Sequence, residues 1–289
     1  MKILLIGATG QLGDDLLRNN PGHEIVAPPR RDLDLVRPSE AARLIGEVKP
    51  DVVVNCAAFH NVPQCEEDPA QAFLVNCVAV RDLAAACTAH NARLVTFSSD
   101  YVFGGDRTMP WREDDRPAPL QIYGISRLAG EYAALSVAPE HAAIIRTCGL
   151  YGRSGARSKG GNFVDARVAD ARAGKRIEMA SEQVVAPTST ADLSLAVFAL
   201  LRIPAFTRGI YHLVNEGACS WYEFTREIVR LMGGKSEVVP VDRGGRTGNM
   251  RRPLYSVLAN TRARALGVVM RPWREALEAY LRDKYPETH

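Results

Sequence analysis

The sequence predicts an α/β protein: a doubly wound parallel sheet followed by a smaller C-terminal lobe. Three observations predict it. Short apolar runs alternate with longer segments of helical period through the first half. A glycine-rich turn closes the first apolar run. The alternation loosens after about residue 152.

Each element follows from its local pattern. "KILLIG" is a continuous apolar run ending at Gly7, as expected for a strand covered on both faces. "QLGDDLLRNN" reads as a helix and "HEIVAP" as the second strand. "SEAARLIGEVKP" predicts a helix capped by Ser39 and stopped at Pro50. "DVVVNCAA" is another buried strand, and "PAQAFLVNCVAVRDLAAACTAHN" a long helix rich in alanine. "RLVTFSSD" is a strand that ends in polar residues, "YGISRLAGEYAALS" a helix, and "AAIIRTCGLYG" starts as a strand. This order predicts parallel strands joined by right-handed crossovers. Farther on, "GRSGARSKGG" gathers glycine and basic residues. It precedes a helix at 162–174, a helix in "ADLSLAVFALLR" and a strand in "GIYHLV". "SWYEFTREIVRLMG" is a helix capped by Ser220, and "RPWREALEAYLRDKY" an amphipathic one.

Composition narrows the function classes. The chain has 289 residues, 46% of them hydrophobic and 24% charged, which suits a globular fold with a substantial core. A formal net charge of +3 is too weak to argue for nucleic acid or a membrane surface as partner. The six cysteines, at 56, 65, 77, 87, 148 and 219, form no CxxC pair and no His/Cys zinc spacing. They read as reduced thiols of a cytoplasmic protein with no metal site. The N-terminal apolar run is too short for a signal peptide, and no stretch approaches the roughly 18 consecutive apolar residues of a membrane span.

Two motifs carry chemistry. "GATGQLG" places Gly7, Gly10 and Gly13 between a buried strand and a helix. In a dinucleotide site the first glycine permits the turn, the second admits the pyrophosphate and the third allows close helix packing. The spacing is GxxGxxG. After the second strand, "APPRRDLDL" offers Arg30 and Arg31 where a ribose-binding acid often sits. An arginine there pairs with a 2′-phosphate, which favours NADPH and still allows NADH; the alternative is a solvated basic turn. Asp34 either meets the adenine or ribose or simply precedes the next helix.

The second motif is Ser99 at the carboxyl end of a strand, followed by Tyr123 and Arg127, four apart on one helical face. Ser99 can hydrogen-bond a substrate carbonyl while Tyr123 donates its phenolic proton as that carbonyl accepts hydride. The positive charge of Arg127 is expected to lower the phenol pKa. A Tyr-x-x-x-Arg by itself reads as a surface pair; joined to the glycine loop and Ser99 it does not.

The chain resembles the extended short-chain dehydrogenase/reductases, and among them the dTDP-4-dehydrorhamnose reductase branch. The resemblance runs through "GATGQLG", "DVVVNCAAF", "EEDPAQAFLVN", "SSDYVF", "PLQIYGISRLAGE", "IIRTCGLYG", "GNFV", "EQVVAPTSTADL", "GIYHLVNEGACSWYEF", "RRPLYSVL" and "PWREALEAYL". It implies an extended Rossmann domain with a small C-terminal lobe for a nucleotide sugar. It also implies NAD(P)H reducing the 4-keto group of dTDP-4-dehydrorhamnose to give dTDP-rhamnose. By matching positions, Gly7, Gly10, Gln11, Leu12, Gly13, Asp34, Leu35, Ala57, Ala58 and Phe59 line the cofactor. Ser99 and Asp100 face the sugar, Tyr123 is the acid and Arg127 holds the nicotinamide ribose. Asn162, Phe163 and Arg252 contact the nucleotide sugar, with a plain surface role open for Arg252.

The chain also departs from that branch. Ser99 stands for threonine, Arg127 for lysine, Gly149 for tryptophan, Glu182 for aspartate and Val185 for glycine. The expected division is residues 1–152 as the dinucleotide-binding domain and 153–289 mainly as the substrate-binding lobe, with about 183–215 interleaved with the main domain. A homodimer is compatible with this reading. The alternative is an NAD(P)-binding regulatory or scaffold protein with weak or no catalysis, which Arg127 and Gly149 favour.

Overall fold

Runs of valine, isoleucine and leucine build the central strands, because only such residues can be covered by helices on both faces. The computed structural model describes residues 1–105, 107–155, 160–206, 208–248 and 250–288; residues 156–159 of the glycine- and base-rich run lie outside them. The first half runs β1 (Lys2–Ile6), α1 (Gln11–Arg18), β2 (Glu24–Val26), α2 (Pro38–Val48), β3 (Val52–Asn55), α3 (Val62–Glu67), α4 (Pro69–Phe73), α5 (Ala79–Ala89), β4 (Arg93–Ser99), α6 (Ile122–Val137) and β5 (Ala142–Thr147). The second half continues with β6 (Leu150–Tyr151), α7 (Phe163–Arg172), β7 (Ile177–Ala180), β8 (Val184–Val185), β9 (Thr188–Ser189), α8 (Thr190–Leu201) and β10 (Gly209–His212). It closes with β11 (Cys219–Ser220), α9 (Trp221–Leu231), β12 (Val238–Val241), β13 (Arg246–Thr247), β14 (Met250–Arg251), α10 (Thr261–Ala265) and α11 (Trp273–Lys284).

The main sheet has the order β10-β5-β4-β3-β1-β2, all parallel. The chain reverses its winding at β1, with β2 on one side and β3 on the other. The crevice beyond their carboxyl ends is the natural ligand site of such a sheet. One face is covered by α1 and α8, whose Leu12, Leu16, Val197 and Leu201 share a core with Val54 and Ile145. The other is covered by α2, α5 and α6 through Ile45, Leu83 and Ala134. After β5 the chain builds the lobe and returns twice, with α8 against α1 and with β10 in register on β5. The lobe has its own aromatic core of Tyr151, Phe224 and Trp273, with Phe163 and Trp221 packed on it.

Two local expectations change. Ser39 does not cap its helix: α2 starts at Pro38 with Arg37 as the extended N-cap residue. A proline's fixed φ suits a first helical position, so the helix opens one residue earlier. Pro69–Ala89 is continuous but not uniform, because Leu74–Val78 forms a π-helical turn between α4 and α5. This segment is 21 residues long and contains an 18-residue window of mean hydropathy 1.5, long and apolar enough on those terms to cross a bilayer. Here it packs between α2 and α6 as a core helix.

Candidate active site

The glycine loop joins β1 to α1 directly over the crevice. Gly7 adopts φ +80°, a left-handed conformation that favours glycine. A Cβ on Gly13 would lie 2.3 Å from the Gly7 carbonyl oxygen and 2.6 Å from Ala8 Cα. Gly13 therefore lets α1 close on the loop's own backbone. Gly10 caps α1 without a side chain, which leaves the first-turn amides facing the loop opening. Gln11 places a buried Oε1 there with no partner. Gly13→Ala is expected to cost about 1–3 kcal/mol by overpacking. It should also weaken dinucleotide binding; a fluorescence titration with NADPH and a thermal melt check both.

Ala57, Ala58 and Phe59 follow β3 beside this loop. Ala57 N donates to Asn55 Oδ1 at 3.1 Å, and a Cβ on Gly7 would lie 2.9 Å from that same nitrogen. A cleft of about 430 Å³ lies at the far side of the loop, lined by Ala8, Thr9, Asp14, Leu17, Pro28 and Ser154 among others. Arg30 and Arg31, just past it, are exposed, and Arg31 approaches Asp32 at 3.6 Å. Leu35 is buried in the core under α2. The Asp34 carboxylate turns back on its own loop, accepting from Val36 N at 3.3 Å.

The reacting groups meet where β4 ends and α6 begins. Gly124 and Gly130 let α6 dock tightly: a Cβ on them would lie 2.1 Å from Tyr101 O and 2.0 Å from Asn76 O. Ser99 Oγ donates to Asp100 Oδ1 at 2.8 Å and accepts from Tyr101 N at 3.1 Å. It also faces the Tyr123 phenol. Burial pushes the Tyr123 pKa up, against the opposite pull of Arg127 and Ser99. The expectation that Arg127 lowers it is thus right in sign and overridden in sum, since desolvation of the phenolate is the larger effect. The phenol is protonated at neutral pH, the form a proton donor needs.

Arg127 is buried, and its Nη1 donates to Asn76 Oδ1 at 3.4 Å while its Nε has no partner. An orphaned guanidinium donor beside Tyr123, with the open first-turn amides and Gln11 Oε1, fits a ribose and pyrophosphate. Asp100 is 3% exposed; Cys148 Sγ donates to its Oδ2 at 3.1 Å, and Ser256 faces it. Burial raises the Asp100 pKa.

The lobe side places the remaining residues unequally. Arg252 Nη1 donates to the Tyr101 hydroxyl at 2.8 Å, and the Tyr101 ring meets Tyr123 edge-on at 6.1 Å. Burial pushes Tyr101 up to about 12, with Arg252 pulling it down. Arg252 is thus brought next to the Tyr101–Tyr123 pair rather than left on an open surface. Asn162 is spent internally: it caps α7 through Asp165 N and donates to Gly152 O at 2.7 Å and to Tyr280 Oη at 2.8 Å. Phe163 packs on Trp221, ring centroids 4.6 Å apart.

Gly149 has φ +54°, and a Cβ there would meet Trp221 Cη2 and Pro187 Cα at 3.3 Å each. The indole beside this wall therefore comes from α9, and a side chain at 149 would be strained and would have to push these neighbours back. Val185 is buried in one apolar cluster with Cys148 and Val102. Glu182 accepts from the backbone nitrogens of Arg243 and Gly245 and tethers that loop.

Sequence reasoning missed Asn76, Tyr101, Cys148 and Trp221. Asn76 is the hub: buried in the π-helical turn, it exchanges two bonds with the Phe59 backbone, both 2.9 Å, and donates to Ser126 Oγ at 3.0 Å. An asparagine inside "AFLVNCVAV" was the available signal, because a buried amide in an apolar helix needs partners elsewhere.

A glycine loop at the switch point, with serine, tyrosine and a cation at the neighbouring strand end, defines a dinucleotide-binding oxidoreductase of the short-chain dehydrogenase/reductase type. The comparisons narrow this. The family model described as RmlD substrate binding domain matches residues 1–285. The spore coat polysaccharide biosynthesis protein SpsK of Bacillus subtilis is 36% identical over 98% of this chain and 98% of its own. The dTDP-4-dehydrorhamnose reductase of Streptomyces griseus is 37% identical over 95% of this chain and 91% of its own. The crystal structure of dTDP-4-dehydrorhamnose reductase from Bacillus anthracis in complex with NADP superposes with a TM-score of 0.91 at 32% identity, covering 98% of this chain and 99% of that one. The chain belongs to the RmlD family, the nucleotide-sugar ketone reductases of the extended short-chain dehydrogenase/reductases.

Proposed function

We propose that this protein reduces the 4-keto group of a dTDP-linked 4-dehydro-6-deoxysugar, with dTDP-4-dehydrorhamnose the first substrate to test and dTDP-rhamnose its product. NADPH supplies the hydride when bound, as the NADP in the Bacillus anthracis relative suggests. The observation that carries the reading is the cluster of Ser99, Tyr123 and Arg127 beside the glycine loop, with a protonated phenol at its centre.

Gly7, Gly10, Gln11, Leu12 and Gly13 take the pyrophosphate, and the Ala57–Phe59 segment borders the dinucleotide. Arg30 pairs with the 2′-phosphate, and Arg127 Nε donates to the nicotinamide ribose. Ser99 hydrogen-bonds the substrate carbonyl and Tyr123 delivers its proton to the developing alkoxide. Trp221 and Phe163 form an apolar wall for the deoxysugar, and Arg252 holds Tyr101 at the mouth. Residues 1–152 together with α8 and β10 act as the cofactor half, and the rest as the sugar half. Among the described residues no disulfide joins any of the six cysteines, in accord with a cytoplasmic enzyme.

The test is purified protein with dTDP-4-dehydrorhamnose, and separately with the dTDP-4-dehydro sugar of the opposite C5 configuration, followed at the nicotinamide absorbance with NADPH and with NADH. Turnover with NADPH and either sugar is the expected result. Tight NADPH binding without turnover on both sugars would overturn the reading.

A further inference from the structure

We infer that Asp100 recharges Tyr123 with a proton, through Ser99, after each reduction. The inference rests on the reductase reading, in which every turnover removes the phenolic proton of Tyr123. The cation beside Tyr123 does not replace it: a guanidinium stays protonated in proteins, with a pKa above about 12. Arg127 offers only donors, one to Asn76 and one unpartnered.

A different chain of exchangeable protons reaches the phenol. Ser99 Oγ lies 2.8 Å from Asp100 Oδ1 and faces Tyr123 on its other side. Ser99 has a single hydroxyl hydrogen, so it bonds toward Asp100 or toward Tyr123. With a proton on Asp100 the whole chain points one way, from the carboxyl to Ser99 to the phenolate.

Burial of Asp100 without a counter-charge favours that protonated state, against the opposite pull of the hydrogen bonds it accepts from Ser99 and Cys148. The groups facing it are Ser99 on β4, Cys148 beyond β5, Ser256 in the lobe, and Tyr101 and Tyr123. The nearby cations are engaged elsewhere, Arg252 on the Tyr101 hydroxyl and Arg127 on Asn76. Among the described residues no ion pair reaches the Asp100 carboxyl. Burial raises its pKa accordingly.

The transfer balances. As the carbonyl carbon gains hydride, the Tyr123 O–H bond breaks and the alcohol O–H forms. The Ser99 O–H then breaks while the Tyr123 O–H reforms, and the Asp100 O–H breaks while that of Ser99 reforms. Asp100 is left as the carboxylate and regains its proton from water when product leaves. No residue changes oxidation state.

A double-mutant cycle tests this, because lysine at 127 can shed and regain a proton where arginine does not. Asp100→Asn is expected to lower kcat about 100-fold in the Arg127 background and less than about 10-fold in Arg127→Lys. Arg127→Lys alone raises kcat. If Asp100→Asn folds poorly, judged by NADPH affinity, Asp100→Ser also removes the carboxyl and serves in its place.

A readout independent of turnover is the infrared difference between parent and Asp100→Asn at neutral pH, which should contain a carboxylic-acid carbonyl band. Equal losses in both backgrounds, or no such band, overturn the relay. An inactive parent overturns the reductase reading itself, and the infrared measurement then decides separately whether Asp100 holds its proton.

Discussion

Tyr123→Phe is expected to lower turnover by about 10²–10⁴-fold, the usual worth of a positioned general acid. NADPH affinity should hold within about twofold, because that variant keeps the ring and its edge contact with Tyr101. The size of the effect follows from the position. Tyr123 lies half-buried in the first turn of α6, with Arg127 one turn on and Ser99 opposite. Burial keeps the phenol protonated, and the partial positive charge of the helix start together with Arg127 stabilises the phenolate as it forms. Phenylalanine removes the hydroxyl that both couples to Ser99 and stands beside the cation. Steady-state kinetics with a parallel cofactor titration checks the result, and an active Tyr123→Phe protein would sink the assignment.

Glu131→Gln is expected to destabilise the fold by about 3–5 kcal/mol, a large share of the roughly 5–15 kcal/mol that holds a domain together. Glu131 continues the face of Tyr123 and Arg127 down α6. Its carboxylate takes Arg146 Nη2 at 2.6 Å and Nε at 2.9 Å, with both side chains 1% exposed. Ser98 on β4 donates to the same carboxylate, and His212 on β10 lies 3.5 Å from Arg146 Nη1. Ser98, Arg146 and His212 are register partners across β4, β5 and β10, so one buried network ties three strands to the helix that carries Tyr123.

The Gln variant leaves a guanidinium buried without a counter-charge. Removing both charges, as Glu131→Gln with Arg146→Met, should recover much of the loss. Denaturant midpoints at constant m-value measure both.

His212 adds a pH dependence. Burial, and then Arg146, hold its pKa down to about 3, against about 6.5 when unfolded. The unfolded chain binds the extra proton, so this contribution is complete above the unfolded pKa and is lost as pH falls toward 3. Between those limits the parent should lose up to about 1.4 kcal/mol per pH unit more than His212→Gln.

The parts of the protein visible in the sequence are those written in local spacing. The apolar runs of β1, β3, β4 and β5, the strand–glycine–helix turn and the Tyr123–Arg127 pair each depend on residues close in the chain. A buried strand needs consecutive apolar residues, and a helix brings residues four apart onto one face. Ser220 caps α9 with a full capping box, as its local pattern predicts, whereas Ser39 does not cap because Pro38 already suits the first turn. The direction of the Arg127 effect on Tyr123 was likewise legible, but not the larger opposing effect of burial, which depends on what α6 packs against.

What only the tertiary structure decided is which distant residues complete the site. Arg252 reaches Tyr101 across 151 positions, Asn76 ties Phe59 to Ser126 and Arg127, and Trp221 takes the space against Gly149. Asn162, which looked equally available, is used up capping α7 and bonding Tyr280. Hydrogen bonds and desolvation act over a few ångströms in space, and the distance between two residues along the chain does not encode that separation until the sheet and lobe have packed. The sequence by itself determined the strand order's raw material, the strand–glycine–helix turn and the helical spacing of the proposed proton donor, Tyr123, and Arg127. Packing decided how that donor is wired, because wiring is a property of proximity rather than of period.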